Sequence, residues 1–157
     1  MEVVRAKSDE AEALTAIAYE AKRYWKYPEN WMGSWRGVLT ITSEFIAANV
    51  AYCAKENGRV VGFYAVTNEN DGLRLEHLWI LPEAMGRGIG RELFGHAIAQ
   101  ARRLGHRTLR IEGDPHAEGF YTRLGARRVG VTLTTIENRP RELPLLQYDL
   151  TKKSGNM

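Results

Sequence analysis

Cysteine is almost absent from this chain. Its 157 residues include one, Cys53, so no internal disulfide can form and a reducing cytoplasm is the expected compartment. Long apolar runs are missing too. No stretch approaches the roughly 18 residues a membrane-spanning helix requires. The opening MEVVRAKSDE has no apolar core behind a basic start, so it does not read as a secretory signal and no membrane partner is expected. Charge of one sign is scarce: the net charge is +3, a weak attraction for nucleic acid on its own. No helix-turn-helix, zinc or RNP pattern adds to it, so neither nucleic acid nor a metal is an expected partner. Repeats, linkers and low-complexity tracts are lacking. With 44% hydrophobic and 26% charged residues the composition is that of an ordinary globular chain, which excludes disorder away from the ends. The expectation is one domain over 1–150 with a polar, flexible tail, Thr151–Met157.

What is present alternates between helical and strand patterns. Val3–Ala6 reads as a first strand. Ser8 and Asp9 open a helix, with Asp9 and Glu12 at capping-box spacing and Leu14, Ile17, Ala18 and Ala21 on its apolar face. A short helix follows Pro28, and another covers Ser43–Ala48. Val50–Lys55 and Val60–Thr67 read as strands joined at Asn57-Gly58, a strong hairpin signal because both turn residues need positive φ. Leu73–Leu81 begins as an alternating strand and ends as an apolar run. A helix over Ile89–Leu104, a strand over Thr108–Glu112 and a short helix over Gly119–Leu124 come next. Two last strands, Arg128–Thr135 and Leu145–Leu150, flank an expected loop with Pro140 and Pro144. The reading is one mixed α/β domain.

The segment Leu78–Arg91 (LWILPEAMGRGIGR) carries most of the chemical information. A buried strand ends, the chain turns, and Gly86, Gly88 and Gly90 lead into a helix. Glycines let a ligand approach the backbone, and the first helical N–H groups lack intrahelical partners, so with the helix dipole they form a diphosphate site. Arg87 and Arg91 are placed to add charge-assisted contacts. A P-loop needs Gly-Lys-Ser/Thr where this chain has Gly90-Arg91-Glu92. A dinucleotide GxGxxG needs a small residue at 91 or 93, where Arg and Leu stand. Both are excluded.

Met85-Gly86-Arg87-Gly88-Ile89-Gly90 resembles the pyrophosphate loop of the GNAT superfamily of N-acetyltransferases, Gln/Arg-x-x-Gly-x-Gly/Ala, with Met85 in place of the first residue. Asp114-Pro115-His116-Ala117-Glu118-Gly119-Phe120-Tyr121 through Gly125-Ala126 is similar to that family's Asn-Pro-x-Ala-x-x-Phe-Tyr segment. The resemblance implies a central mixed, mostly antiparallel sheet of about seven strands, with helices on both faces. That sheet would be splayed between Leu73–Leu81 and Thr108–Glu112. It implies acetyl-CoA as the acyl donor and no metal. The pantetheine arm would pair with backbone at Leu78, Trp79 and Ile80, and the diphosphate would sit on residues 85–91, with Asp114 beside the cofactor. Arg123, Arg127 and Arg128 are candidates for its 3′-phosphate.

Amide formation from a thioester needs a neutral amine, a donor for the oxyanion and a proton for the departing sulfur. The resemblance assigns the last task to Tyr121, whose phenol is protonated at neutral pH. A backbone N–H on Leu78–Ile80, at a bulge, would hold the oxyanion. Glu76, His77 and Glu112 could each take the amine's proton, and the resemblance favours Glu76, because the family often places a carboxylate on this strand. Simple alternation sets Glu76 on one strand face with Leu78 and Ile80, and His77 with Trp79 on the other.

Tyr24, Trp25, Tyr27, Trp31 and Trp35 fall where this fold caps the acceptor cleft, and the segment Ile136–Pro144 would form the opposite wall, with Arg139 and Arg141 as candidates for holding a carboxylate. The expected acceptor is a small primary amine or an amino-acid-like metabolite. Two alternatives stay open: a domain that binds acyl-CoA without turnover, and an acetyltransferase for protein lysine or N-terminal amines. Homodimerisation through a strand edge is also left open.

Overall fold

The computed structural model describes residues 1–70 and 72–152. Glu2–Arg5 (β1), Val50–Glu56 (β2), Arg59–Glu69 (β3), Gly72–Ile80 (β4), Thr108–Glu112 (β5), Arg127–Ile136 (β6) and Arg139–Asp149 (β7) form one sheet in the order β1-β2-β3-β4-β5-β7-β6. Every neighbouring pair is antiparallel except β4 and β5. The helices are Ala11–Arg23 (α1), Glu29–Ser34 (α2), Arg36–Leu39 (α3), Ser43–Ala48 (α4), Ile89–Arg103 (α5) and Glu118–Arg123 (α6). The expected seven-stranded α/β architecture is the observed one. Of the expected tail, Lys152 offers its carbonyl to Arg102 and Thr151 bonds Asp149, whereas residues 153–157 lie outside the described residues.

The hairpin β2–β3 turns at Asn57 and Gly58, both at positive φ (52° and 79°), as an Asn-Gly turn demands. Strand β3 is buried without interruption from Val61 to Val66, because helices cover both sheet faces. Its even residues face α5: a Cβ on Gly62 would meet Leu93, and Tyr64 bonds His96 at 2.7 Å. Its odd residues face α1 and α4, where the Phe63 ring lies beside His77 and His77 against Phe45. Helix α5 buries Ile89, Leu93, Phe94, Ala97, Ile98 and Ala101 at helical spacing, each large side chain contributing about 1.5–3 kcal/mol.

Two local expectations are corrected. Asp9 and Glu12 do not form the capping box. A single 3₁₀ turn over Ser8–Glu10 precedes α1, and it is Glu10 whose carboxylate accepts the Lys7 N–H at 2.8 Å. The segment Ile136–Pro144 is not a loop but the tip of the β6–β7 hairpin, turning at Glu137 and Asn138 with φ of 48° and 63°. Prolines 140 and 144 are tolerated because β5 pairs only with Leu145–Asp149, leaving that side of β7 without a ladder. The Pro144 carbonyl points to that side and accepts the Gly113 N–H at 3.3 Å.

Candidate active site

Strands β4 and β5 pair only at Leu73–Leu109, Arg74–Arg110 and Leu75–Ile111. Beyond Leu75, β4 continues to Ile80 while β5 ends at Glu112, so the sheet parts there. Leu81 N–H bonds Val61 on β3 at 2.9 Å. By alternation Trp79 and His77 also turn their amides toward β3, and Leu78 and Ile80 turn theirs into the gap.

The gap leads to the glycine turn. Among the described residues no backbone acceptor takes the N–H groups of Gly86 through Arg91, and the first helical bond of α5 runs from Glu92 N–H to Gly88 O at 3.0 Å. Gly88 holds φ of 82°, and the space a Cβ would fill at Gly86 and Gly88 is open. Six free amides at the start of a 15-residue helix suit a diphosphate. The side chains divide. Met85 lines the cavity beside the turn, whereas Arg87 is drawn away to Glu56 at 2.9 Å. Arg128 is held by Glu118 through two bonds of 2.8 Å, while Arg123 reaches the cavity.

Two cavities meet at the gap. One, of about 320 Å³, runs from Met85 and Gly90 past Ile80 to Phe120 and Tyr121. The other, of about 470 Å³, extends to Arg74, Glu76, Glu112, Trp35 and Arg141. Leu78, Trp79, Asp114, Ala117 and Tyr121 line both. Helix α6 packs the Tyr121 ring against Phe94 and Phe120, leaving it 6% exposed. Its hydroxyl donates to no group among the described residues. Burial first, and then the charge of Asp114, push its pKa up, so the phenol keeps its proton.

Alternation along β4 fails at one residue, and this matters for the candidate base. Ala65 pairs with His77 but Val66 pairs with Leu75, so Glu76 is the extra residue of a β-bulge. Residues paired across strands share a face. Arg74, paired with Thr67, His77 and Trp79 therefore face α1 and α4, whereas Leu78 and Ile80 face α5. The bulge turns Glu76 toward Thr67 Oγ1, 3.5 Å away, and so to the same face as His77 rather than that of Leu78. Arg74 meets three carboxylates, 3.2 Å from Glu112, 3.5 Å from Glu76 and 3.6 Å from Glu69. The second contact lacks hydrogen-bond geometry, and Arg74 Nε is buried without a partner. His77 accepts from Trp79 Nε1 at 3.0 Å, and burial followed by the charge of Arg74 lowers its pKa to about 4.

Asp114 is the centre of a buried charge cluster. Its carboxylate accepts from Lys22 Nζ at 2.7 Å, from the Tyr27 hydroxyl at 2.8 Å and from the His116 N–H at 2.9 Å. Burial opposes ionisation, but Lys22 above all and these donors outweigh it and bring the pKa to about 2. Lys22 was not foreseen as a site residue. Its one signal is position: four residues after Ala18, it falls on the buried face of α1.

The aromatic residues expected at the acceptor cleft separate. Tyr27, Trp31 and Trp35 surround the Arg141 guanidinium, with ring centroids 5.2, 5.7 and 5.1 Å away, and Trp35 lines the larger cavity. Trp25 stacks on His116 and lines the smaller cavity instead. Tyr24 is 50% exposed and lines neither.

A sheet parted at its one parallel pair, with free amides where the parted strand runs on into a helix, can seat a ligand that carries a diphosphate. The chain matches the acetyltransferase (GNAT) family over residues 12–126, most of its length, and belongs to that family. The family is one of acetyltransferases. Among curated proteins, none matches its sequence significantly. Solved structures share its fold. The PaiA N-acetyltransferase of Thermoplasma acidophilum, in complex with coenzyme A, is 17% identical with a TM-score of 0.73, over 94% of this chain and 98% of that one. YncA of Salmonella typhimurium, a putative acetyltransferase with acetyl-CoA, is 18% identical with a TM-score of 0.70, over 100% and 98%. The ribosomal-protein-S18-alanine N-acetyltransferase of Escherichia coli is 16% identical with a TM-score of 0.71, over 99% and 97%. Among the described residues no cluster of three metal-ligating side chains occurs, and no helix is long and apolar enough to cross a membrane.

Proposed function

We propose that the enzyme acetylates the primary amine of a small molecule by direct attack on the thioester of acetyl-CoA. The observation that carries this reading is the shared wall of the two cavities, where Tyr121 stands between the phosphate turn and the polar cavity. Acetyl-CoA, lying in the gap with its diphosphate on the amides of residues 86–91, supplies the activated acyl group. The amide of Leu78 or Ile80 points into the gap and donates to the oxyanion that forms as the amine nitrogen attacks. Glu76, turned by the bulge onto the cavity face, takes the proton the nitrogen releases, with Glu112 as the alternative base. The carbon–sulfur bond then breaks, and Tyr121 gives its proton to the leaving thiolate and regains one from solvent.

The form of the larger cavity favours a small acceptor. Glu137, at the β6–β7 turn, accepts from Asn30 on α2 at 3.3 Å and also from Ser34, which ties the hairpin tip across the cavity mouth. A protein acceptor, such as the ribosomal protein S18 for which the E. coli neighbour is named, would have to pass that clasp.

The test is a thiol-release assay with acetyl-CoA on a panel of amines and peptides, with Tyr121→Phe alongside. Turnover that falls roughly a hundredfold or more in Tyr121→Phe, with CoA binding intact, supports the acid role. Acetylation of peptides alone would move the acceptor to protein. CoA binding without any turnover would leave a sensor in place of an enzyme acting on these amines.

A further inference from the structure

We infer that the acceptor carries a carboxylate, which seats on Arg141 while its amine faces Glu76 and Glu112. The inference rests on the proposed N-acetyltransferase reading and narrows its substrate class.

The larger cavity is lined by charges of both signs. Where β4 and β5 part, Glu76 and Glu112 share one cation, Arg74, so that wall carries a surplus negative charge. On the side built by α1 and β7, Lys22 and Arg141 lie beside Asp114, and the other acid lining the cavity, Glu137, sits at the hairpin tip bound to neutral partners. Asp114 is already saturated by Lys22, Tyr27 and His116, and Arg141 stands 3.8 Å from it, beyond hydrogen-bond reach. Lys22 is occupied as well, between Asp114 and the face of Trp35, 4.1 Å from its ring centre. The cation on this wall with donors to spare is therefore Arg141.

Its guanidinium is only partly used. Nη2 donates to the Tyr27 hydroxyl at 2.8 Å. Nε and Nη1 donate to no group among the described residues, yet they are not sealed off: Arg74 Nε is the only buried side-chain nitrogen or oxygen there without a partner. Arg141 lines the cavity, and these two nitrogens keep access to solvent. The remaining acid nearby, Glu137, is engaged by Asn30 and Ser34 and makes no ion pair with Arg141 within 4 Å. Three aromatic rings hold the guanidinium in place, so its planar fork is already oriented. A fixed fork with two free donors matches a carboxylate. The opposite wall attracts the ammonium form of the amine and then accepts its proton. A zwitterion satisfies both walls; a simple amine leaves Arg141 unpaired.

The experiment compares kcat/KM, by thiol release, for paired acceptors that differ by the carboxylate alone: L-phenylalanine with phenethylamine, L-methionine with 3-(methylthio)propylamine, and 5-aminopentanoate with butylamine. At least one acid should exceed its amine by roughly ten- to a hundredfold, the value of a hydrogen-bonded charge. Arg141→Gln should bring that ratio near one, chiefly through KM, and Arg141→Lys should restore part of it. CoA binding to each variant checks that it is folded. Ratios near one in the unaltered enzyme, or a ratio that survives Arg141→Gln, overturn the inference while leaving amine acetylation standing. If CoA binds but no pair is acetylated, calorimetry of the CoA complex with N-acetyl-L-phenylalanine and N-acetylphenethylamine decides. Tighter binding of the acid, lost in Arg141→Gln, supports the inference, and equal or absent binding overturns it. Failure to bind CoA would sink both readings.

Discussion

Lys22 and Asp114, 92 positions apart, meet at 2.7 Å in the wall between helix α1 and the end of β5. The pair joins the N-terminal helix to the segment that carries Tyr121, so it holds both sides of the candidate site in register. Their side chains are 10% and 8% exposed, which makes the loss of one partner costly.

Asp114→Asn leaves Lys22 and Arg141 without their shared anion. Removing one member of a buried pair costs about 3–5 kcal/mol, and a loss near the lower figure is expected because part of the cluster borders an open cavity. Lys22→Met combined with Asp114→Asn should be less destabilising than the sum of the two single changes. Urea unfolding of the three variants measures this coupling; strict additivity would mean the pair contributes nothing.

Acid should weaken the fold in two stages. The His77 pKa is about 4 in the fold against 6.5 for the free side chain, so the native state resists a proton that the unfolded chain accepts. That contribution is complete above pH 6.5 and is lost as pH falls toward 4, amounting to about 3 kcal/mol. Asp114, at about 2 against 3.8, adds a loss between those lower values. Unfolding free energies at pH 7, 5.5 and 4 test the first stage, and His77→Gln should flatten it.

Gly88→Ala forces a Cβ onto a backbone at φ of 82°, where space is open but the conformation is strained. The cost is about 1–2 kcal/mol of stability. Any relaxation moves the free amides at the start of α5, so CoA affinity should fall as well. Gly90→Ala acts differently: its Cβ would lie 3.2 Å from the Phe120 ring and press on α6, so turnover should fall more than CoA binding. Titration of CoA and steady-state kinetics on both variants separate the two effects.

Met85 stands where the family pattern has Gln or Arg, and its side chain lines the cofactor cavity. Met85→Gln restores a donor there and should tighten CoA binding by roughly tenfold, the value of one hydrogen bond to a charged group. An unchanged dissociation constant would mean that the backbone amides alone hold the diphosphate.

The reaction class was legible because it is carried by local chemistry. A strand running into Met85–Gly90 and then a helix specifies free amides at a helix start wherever it folds, and the segment Asp114–Ala126 brings Tyr121 with it. Most elements were legible for the same reason: Asn57-Gly58 demands its turn, and the spacing of Leu93, Ala97 and Ala101 demands a helix. Sequence alone determined the family, the donor and the sheet. Tertiary structure alone decided which side chains face one another. Period-two counting cannot foresee the bulge that turns Glu76 to the face of His77, since a bulge answers to the partner strand. Prolines 140 and 144 looked like a loop because the missing ladder that tolerates them is set by how far β5 extends. Lys22 read as an ordinary surface cation, and Arg141 only as a candidate for a substrate carboxylate, until distant segments brought them together around Asp114, because charge pairing depends on distance in space and not along the chain.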